Sequence, residues 1–330
     1  MSWLRIGQYE HPRIFLASGL LNFDGSGYRY HSLPPWRFVM NRLKNDPRVT
    51  FTAKTLTDGQ AGNMPLLDDG ITTKELFPRC IVVDPFTGHT INAVGLSCKP
   101  YQFYFERGIW QDQTRPFVIS YLANAQTPQL RTDQVKRFAE AWSKYAPTLP
   151  FWPIVTLNGG CPNVEHRSAF FDEIAKQVRV LQATGSSVVV NFSPIIDTGL
   201  AGEMSFVADA EAICNTIRHS YMAEHDSVWP WGKKSPLEKR GFPEGGWSGP
   251  RCLKYTLKTV RAIRERNKKA IIIAGNGIQR PGDVGEAKRA GADAISIGIL
   301  PVVRPFWPLV NSVISRASVV WPNLFEGVAA

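Results

Sequence analysis

Short apolar runs rich in β-branched residues recur along this chain, and segments with the period of a helix separate most of them. The runs are Arg13–Ser18, Val49–Thr55, Phe117–Tyr121, Phe151–Leu157, Ser187–Phe192, Ala212–Thr216, Ala270–Ala274 and Ala294–Ile299. A strand buried on both faces reads as such a run, and an intervening helix supplies the crossover that parallel pairing requires. The pattern predicts an α/β protein. With eight runs, a closed (β/α)8 TIM barrel is the economical arrangement, with its chemistry at the strand C-termini. The 330 residues then form a single domain, 1–330.

Helix signals agree with this rhythm. Thr132 opens a segment whose Val135, Phe138, Ala139, Trp142 and Tyr145 share one face, and Ser168 caps another carrying Phe171, Ile174, Val178 and Leu181. The apolar stripe of Trp307, Val310, Val313, Ile314, Val319, Val320 and Trp321 predicts a last helix packed on the sheet. Two long stretches interrupt the pattern: Thr57–Arg115, with strand-like runs at Arg79–Val83 and Thr90–Val94, and His219–Trp247. Insertions of that length are usually functional, and both are expected to cover the barrel mouth.

Composition narrows the function classes. No run reaches the roughly 18–20 apolar residues of a membrane span, and the N-terminus lacks a signal peptide's apolar core, so a cytoplasmic protein without integral membrane contact is expected. The five cysteines (Cys80, Cys98, Cys161, Cys214, Cys252) include no CxxC pair, which speaks against a disulfide framework or a metal site. The net charge of +10 suits anionic ligands, but Lys and Arg are scattered without an RNA-binding motif, so no nucleic acid is expected.

Three places carry chemistry. After the run ending at Leu157 comes Asn158-Gly159-Gly160-Cys161-Pro162-Asn163, a thiol between two carboxamides at a tight turn. The carboxamides can donate to and accept from the edge of a pyrimidine-like ring, and Cys161 suits a base or a nucleophile, with the hydroxyls of Ser120 and Ser193 as alternatives. Ile271–Ile278, with Gly275, Asn276 and Gly277, and Gly291–Ile299, with Gly298, read as strands seven and eight ending in glycine turns that cradle a phosphate. Gly245-Gly246-Trp247-Ser248-Gly249-Pro250 precedes a helix from Leu253 and supplies further amides to the same anion. Taken alone, each cluster also fits glycines that merely turn the chain.

Together these segments resemble the dihydroorotate dehydrogenases, FMN-dependent (β/α)8 barrels, and specifically the soluble class with a cysteine base. The resemblance covers about residues 12–300 in consistent order. Ala17-Ser18-Gly19 is similar to the first-strand flavin contact, and Lys54-Thr55 to a lysine that touches flavin and substrate. Gly62-Asn63-Met64-Pro65 is similar to the Gly-Asn-Pro stretch that follows. Asn92-Ala93-Val94-Gly95-Leu96 resembles the substrate loop Asn-Ser-Met-Gly-Leu, Asn158 to Asn163 the catalytic Asn-x-Ser-Cys-Pro-Asn, and Asn215-Thr216 the strand-six Asn-Thr or Asn-Ser.

The resemblance implies oxidation of dihydroorotate to orotate in pyrimidine biosynthesis. Cys161 would take the C5 proton while a hydride passes to FMN. Asn92, Asn158, Asn163 and Asn215 would hold the ring and carboxylate, helped by Val94, Gly95, Leu96 and Thr216. Ala17, Ser18, Gly19, Lys54, Asn92, Asn158, Asn191, Asn215, Gly246, Ser248, Gly249, Gly275, Asn276, Gly277, Gly298 and Ile299 would contact the flavin or its phosphate. A homodimer is implied too. The electron acceptor is left among fumarate, quinones and a partner subunit carrying FAD and an iron–sulfur cluster, with the Gly-Gly-Trp-Ser-Gly-Pro cluster leaning toward the partner.

The chain also departs from the pattern. Where the family has Val-Lys-Leu-x-Pro at strand five, with its lysine beside flavin N1 and O2, this chain has Val189-Val190-Asn191-Phe192-Ser193-Pro194. Replacing a cation by a dipole should lower the flavin potential. Asn276 also stands in place of a glycine, and Gly159-Gly160 in place of a bulkier residue and a serine. The departures leave two alternatives beside dihydroorotate: a related dihydropyrimidine-like substrate, or a flavin- or phosphate-binding barrel without redox turnover.

Overall fold

The computed structural model describes residues 3–159, 167–226 and 232–322. Its central element is a curled seven-stranded parallel sheet. From one edge to the other the strands are Ile14–Leu16, Ala294–Ile297, Ile272–Ala274, Ala210–Ile213, Val188–Phe192, Ile154–Asn158 and Val118–Tyr121. Each is rich in Val, Ile and Ala and almost wholly buried, as expected of strands covered on both faces.

Seven of the eight expected runs are strands of this sheet, and the eighth, Val49–Thr55, is not a continuous strand. Thr50 pairs with the first strand through Leu16 N to Thr50 O (2.9 Å) and Thr50 N to Ile14 O (2.7 Å). Farther along, Ala53 N donates to Val118 O at 2.9 Å and Leu56 N to Ser120 O at 2.8 Å, on the opposite edge. The segment therefore touches both edges through isolated bridges. Its ladder to the first strand stops because Lys54 N donates instead to Asn22 O, at 2.9 Å, in a turn where Asn22 has φ 64°.

Other boundaries move by a few residues. Ala212–Thr216 is observed as Ala210–Ile213, because Thr216 N is bonded by the Asn215 side chain at 2.8 Å rather than by a neighbouring strand. The helix expected from Thr132 starts at Pro128, with Thr127 as its N-cap accepting from Leu130 N. Proline at the first helical position needs no N–H partner, and a threonine just before it satisfies one of the orphan donors. Ser168 is the second residue of helix Arg167–Gln182 rather than its cap. Helices Leu253–Arg266, Pro281–Ala290 and Trp307–Val320 lie where the sequence puts them, and the last packs against Pro281–Ala290.

Two cores result. Outward-facing strand residues such as Val188, Val190, Ile272 and Ile295 join Val135, Phe138, Val178, Leu257, Val260 and Val313 between the sheet and the helices. Inward-facing Phe15, Val118, Ile154, Val189, Ala212, Ile273 and Ala294 pack on one another. A hairpin of Trp3–Ile6 and Tyr9–Pro12 adds Leu4 and Ile6 to this inner cluster at the strand N-terminal end. Truncating a fully buried side chain there, such as Ile154 to Ala, should cost about 2–5 kcal/mol.

The two interrupting stretches meet in a four-stranded antiparallel sheet, in the order Ile217–Arg218, Gly246–Ser248, His89–Asn92, Ile81–Asp84. Gly246 lies flat against Thr216, so close that any Cβ on it would collide with the Thr216 side chain.

Candidate functional site

The C-terminal ends of the parallel strands surround a cavity of about 360 Å³. That is within the roughly 300–1,000 Å³ of small-molecule sites. Strand alternation explains the composition of its wall. Residues that point inward lower on the strands are apolar, and the same alternation two residues on brings Asn158, Asn191, Cys214 and Ser296 to the mouth.

Most of the residues singled out from the sequence line this cavity: Ala17, Ser18, Gly19, Lys54, Asn92, Val94, Gly95, Leu96, Asn158, Asn191, Asn215, Thr216, Ser248, Asn276, Gly277, Gly298 and Ile299. Gly246, Gly249 and Gly275 stand behind the wall. Gly246 O faces Asn92 Nδ2 at 3.5 Å, and Gly249 N donates to Asn276 Oδ1 at 3.3 Å. Gly275 lies so close to Cys214 and Ser296 that a side chain would not fit, an added Cβ meeting Ser296 Cβ at 3.0 Å. Cys161 and Asn163 lie outside the described residues.

The carboxamides are held by one another and by the backbone. Asn215 Nδ2 donates to Asn158 Oδ1 at 3.0 Å, and Asn276 Nδ2 donates to Asn215 O at 2.8 Å. Asn276 has φ 55°, a left-handed conformation that Asn tolerates where most side chains do not, so it substitutes for a glycine at this turn. Leu96 shares that conformation at φ 59°, in a loop where Asn63 Nδ2 donates to Ala93 O at 2.7 Å.

Among the described residues lining the cavity, Lys54 is the one Lys or Arg. It is 6% exposed, its Nζ donates a short hydrogen bond to Ser97 O, and it stands 4.6 Å from the Phe23 ring centroid. Burial lowers its pKa to about 8, with the neighbouring thiols of Cys98 and Cys80 opposing the shift. Beside it Ser18 Oγ, Thr55 Oγ1 and Ser120 Oγ form a chain of hydroxyls at 3.0 and 2.9 Å. Ser120 and Ser193 do not reach the cavity wall, and Ser193 Oγ donates to Thr216 O at 2.8 Å.

Tyr28, Tyr30, Cys214 and Ser296 also line the cavity and were not singled out. The tyrosines stack with ring centroids 6.0 Å apart in an irregular segment that has no period to betray them. Cys214 and Ser296 did have a signal, since each continues the inward alternation of its own strand: Ala210, Ala212, Cys214 and Ala294, Ser296, Gly298. Among the described residues no cluster of His, Cys, Asp and Glu could hold a metal, and no helix is long and apolar enough to cross a membrane.

Fold and site together define a parallel α/β protein with a carboxamide-rich ligand cavity at its strand C-termini. A family model for dihydroorotate dehydrogenase matches residues 71–306, and the chain belongs to that family. Among curated relatives it is 28% identical to the catalytic subunit of dihydroorotate dehydrogenase B (NAD(+)) from Bacillus caldolyticus over 225 residues, 66% of this chain and 67% of that one. The corresponding subunit from Listeria innocua is 29% identical over 161 residues, and the one from Listeria welshimeri 28%. The match spans about half the length of these two Listeria relatives (49%). The ligand-free DHODH of Eimeria tenella superposes with a TM-score of 0.63 at 16% identity, covering 96% of this chain and 87% of that one. The ferulenol complex of the Eimeria enzyme gives 0.65 at 14%, covering 96% and 84%. These likenesses show a shared fold.

Proposed function

We propose that the chain is an FMN-dependent oxidoreductase that converts dihydroorotate to orotate, with the segment Thr50–Leu56 closing a (β/α)8 barrel as its eighth strand. The observation that carries the reading is the cluster of Asn92, Asn158, Asn191 and Asn215 around one cavity with a buried Lys54. Carboxamides complement the alternating carbonyl and N–H edge of a pyrimidine, and a lysine complements its carboxylate.

The donor set also fits FMN, because the turns at Asn276–Ile278 and Gly298–Ile299 line the wall at strand ends, where backbone amides can hold a phosphate. FMN, when bound, supplies the hydride acceptor. Asn158 and Asn215, locked to each other, orient the ring, and Lys54 balances the carboxylate. Cys161 follows the strand carrying Asn158 and is assigned the C5 proton as general base. The neutral Asn191 favours a second reading, a related dihydropyrimidine-like substrate for the same machinery.

The relatives' designation as catalytic subunits of an NAD(+) enzyme supports a partner subunit as the route for electrons, and cytoplasmic location and a homodimer accompany the proposal. The test is anaerobic addition of dihydroorotate to purified protein. Bleaching of flavin absorbance is expected, with Cys161→Ala keeping the flavin and slowing bleaching at least ~10²-fold. A bound flavin that dihydroorotate leaves oxidised would overturn the substrate, and protein that takes up no FMN would overturn the cofactor.

A further inference from the structure

Asn191 lies one residue before the end of the strand Val188–Phe192, at the cavity wall, and among the described residues its carboxamide is held by one side-chain partner. Cys214, on the adjacent strand's continuation, donates its S–H to Asn191 Oδ1 at 3.2 Å. A thiol has a single donor, so the bond fixes which end of the carboxamide faces the sheet. Around the thiol the packing is tight. Gly275 leaves no room for a side chain between Cys214 and Ser296, and the Ser296 side chain also hydrogen-bonds Cys214. The surrounding protein pushes the Cys214 thiol up to about 12, so it stays a protonated donor across the physiological range.

We propose that Cys214 is a positioning residue: it captures Asn191 Oδ1 and thereby presents the two N–H donors of Asn191 to an acceptor edge, a ring nitrogen or carbonyl oxygen, of the heterocycle bound in the cavity. The proposal rests on the reading of this cavity as a flavin site. It gives a physical role to the residue that replaces a cation. A neutral two-donor group recognises the same acceptor edge that a lysine would, but with directional bonds instead of charge, and directionality needs an anchor.

The test is titration of apo-protein with FMN, followed by flavin fluorescence, in Cys214→Ala, Cys214→Ser, Asn191→Ala and the double variant Cys214→Ala/Asn191→Ala. Misorienting the Asn191 donors should weaken FMN binding about three- to tenfold in Cys214→Ala, and removing them in Asn191→Ala should weaken it at least as much. Cys214→Ser keeps a donor at that place and should restore affinity. Because Cys214 acts only through Asn191, the double variant should bind FMN no more weakly than Asn191→Ala alone. Additive losses, or a serine that fails to rescue, would show that Cys214 matters for packing alone and would overturn the proposal. Unchanged affinity in Asn191→Ala would place its N–H groups in the small chamber of about 30 Å³ beneath the cavity, and would overturn it too. Wild-type protein that takes up no FMN would remove the flavin reading itself, an outcome distinct from either.

Discussion

Asn215 follows the strand Ala210–Ile213 and Asn158 ends the strand Ile154–Asn158, two strands that are not neighbours, yet Asn215 Nδ2 reaches across the intervening strand Val188–Phe192 to donate to Asn158 Oδ1 at 3.0 Å. The bond uses one N–H of Asn215 and one lone pair of Asn158, and leaves each carboxamide with further capacity. Asn215→Ala removes the clamp and, in the proposed complex, a ring contact with it. Orotate binding, read from the perturbation of flavin absorbance, should weaken by about tenfold or more, the scale of one to two hydrogen bonds. Affinity within twofold of wild type would show that Asn215 faces the backbone rather than the substrate.

Asn191→Lys puts a cation at the cavity wall. The two-electron potential of bound FMN should rise by tens of millivolts, since ~30 mV corresponds to ~1.4 kcal/mol and a partly screened charge supplies about one to three. Reduction by dihydroorotate should speed up in parallel. Dye-equilibration potentiometry decides the matter, and a potential unmoved with FMN still bound would mean that Asn191 points away from the flavin.

Lys54 gives the site a pH dependence. Its charged form prevails below about 8 and disappears above that, because burial disfavours the ammonium. Orotate, an anion throughout this range, should bind about three- to tenfold more weakly at pH 9 than at pH 7, as the Coulombic partner is lost. Lys54→Met should bind weakly at both values and show a flat profile. Isothermal titration across the range is the measurement, and a wild-type affinity independent of pH would contradict the assignment.

Glu211 lies on the strand Ala210–Ile213 with its side chain fully buried and neither carboxylate oxygen bonded among the described residues. Burial raises its pKa well above the ordinary carboxylate range. The folded protein therefore holds a proton that the unfolded chain releases, so stability present below the unfolded pKa is lost progressively as pH rises toward the folded one. Glu211→Met should be more stable than wild type by about 1–3 kcal/mol at pH 8, with the gap closing near pH 4.5. Thermal unfolding at several pH values tests this, and a variant less stable than wild type at pH 8 would reveal a partner for the carboxylate.

Much of this site could be read from residue order because its parts sit at strand ends. Asn158 directly follows the run Phe151–Leu157, and Asn191 and Asn215 each stand one residue before the end of theirs, so counting to the end of the run locates them. The glycine turns at Gly275–Gly277 and Gly298 were legible for the same reason. Val49–Thr55 was legible as sheet-forming but its broken pairing was not, since β-branched residues report burial in a sheet but not whether the backbone keeps a continuous ladder, and here Lys54 N turns to Asn22 O. Tyr28 and Tyr30 escaped because irregular segments carry no period. Cys214 had only the inward alternation of its strand to mark it, and the geometry puts its thiol against Asn191.

The antiparallel sheet that joins Gly246–Ser248 to His89–Asn92 makes two insertions, more than a hundred positions apart in the chain, into one mechanical part. Asn92, from the first insertion, and Ser248, directly after the second, ride on the same ladder as Thr90 and Trp247. Neither insertion can be lengthened, deleted or exchanged with a relative's at these strands without shifting the register of the other. Chimaeras that graft a relative's substrate loop into this chain should therefore succeed only when both halves travel together.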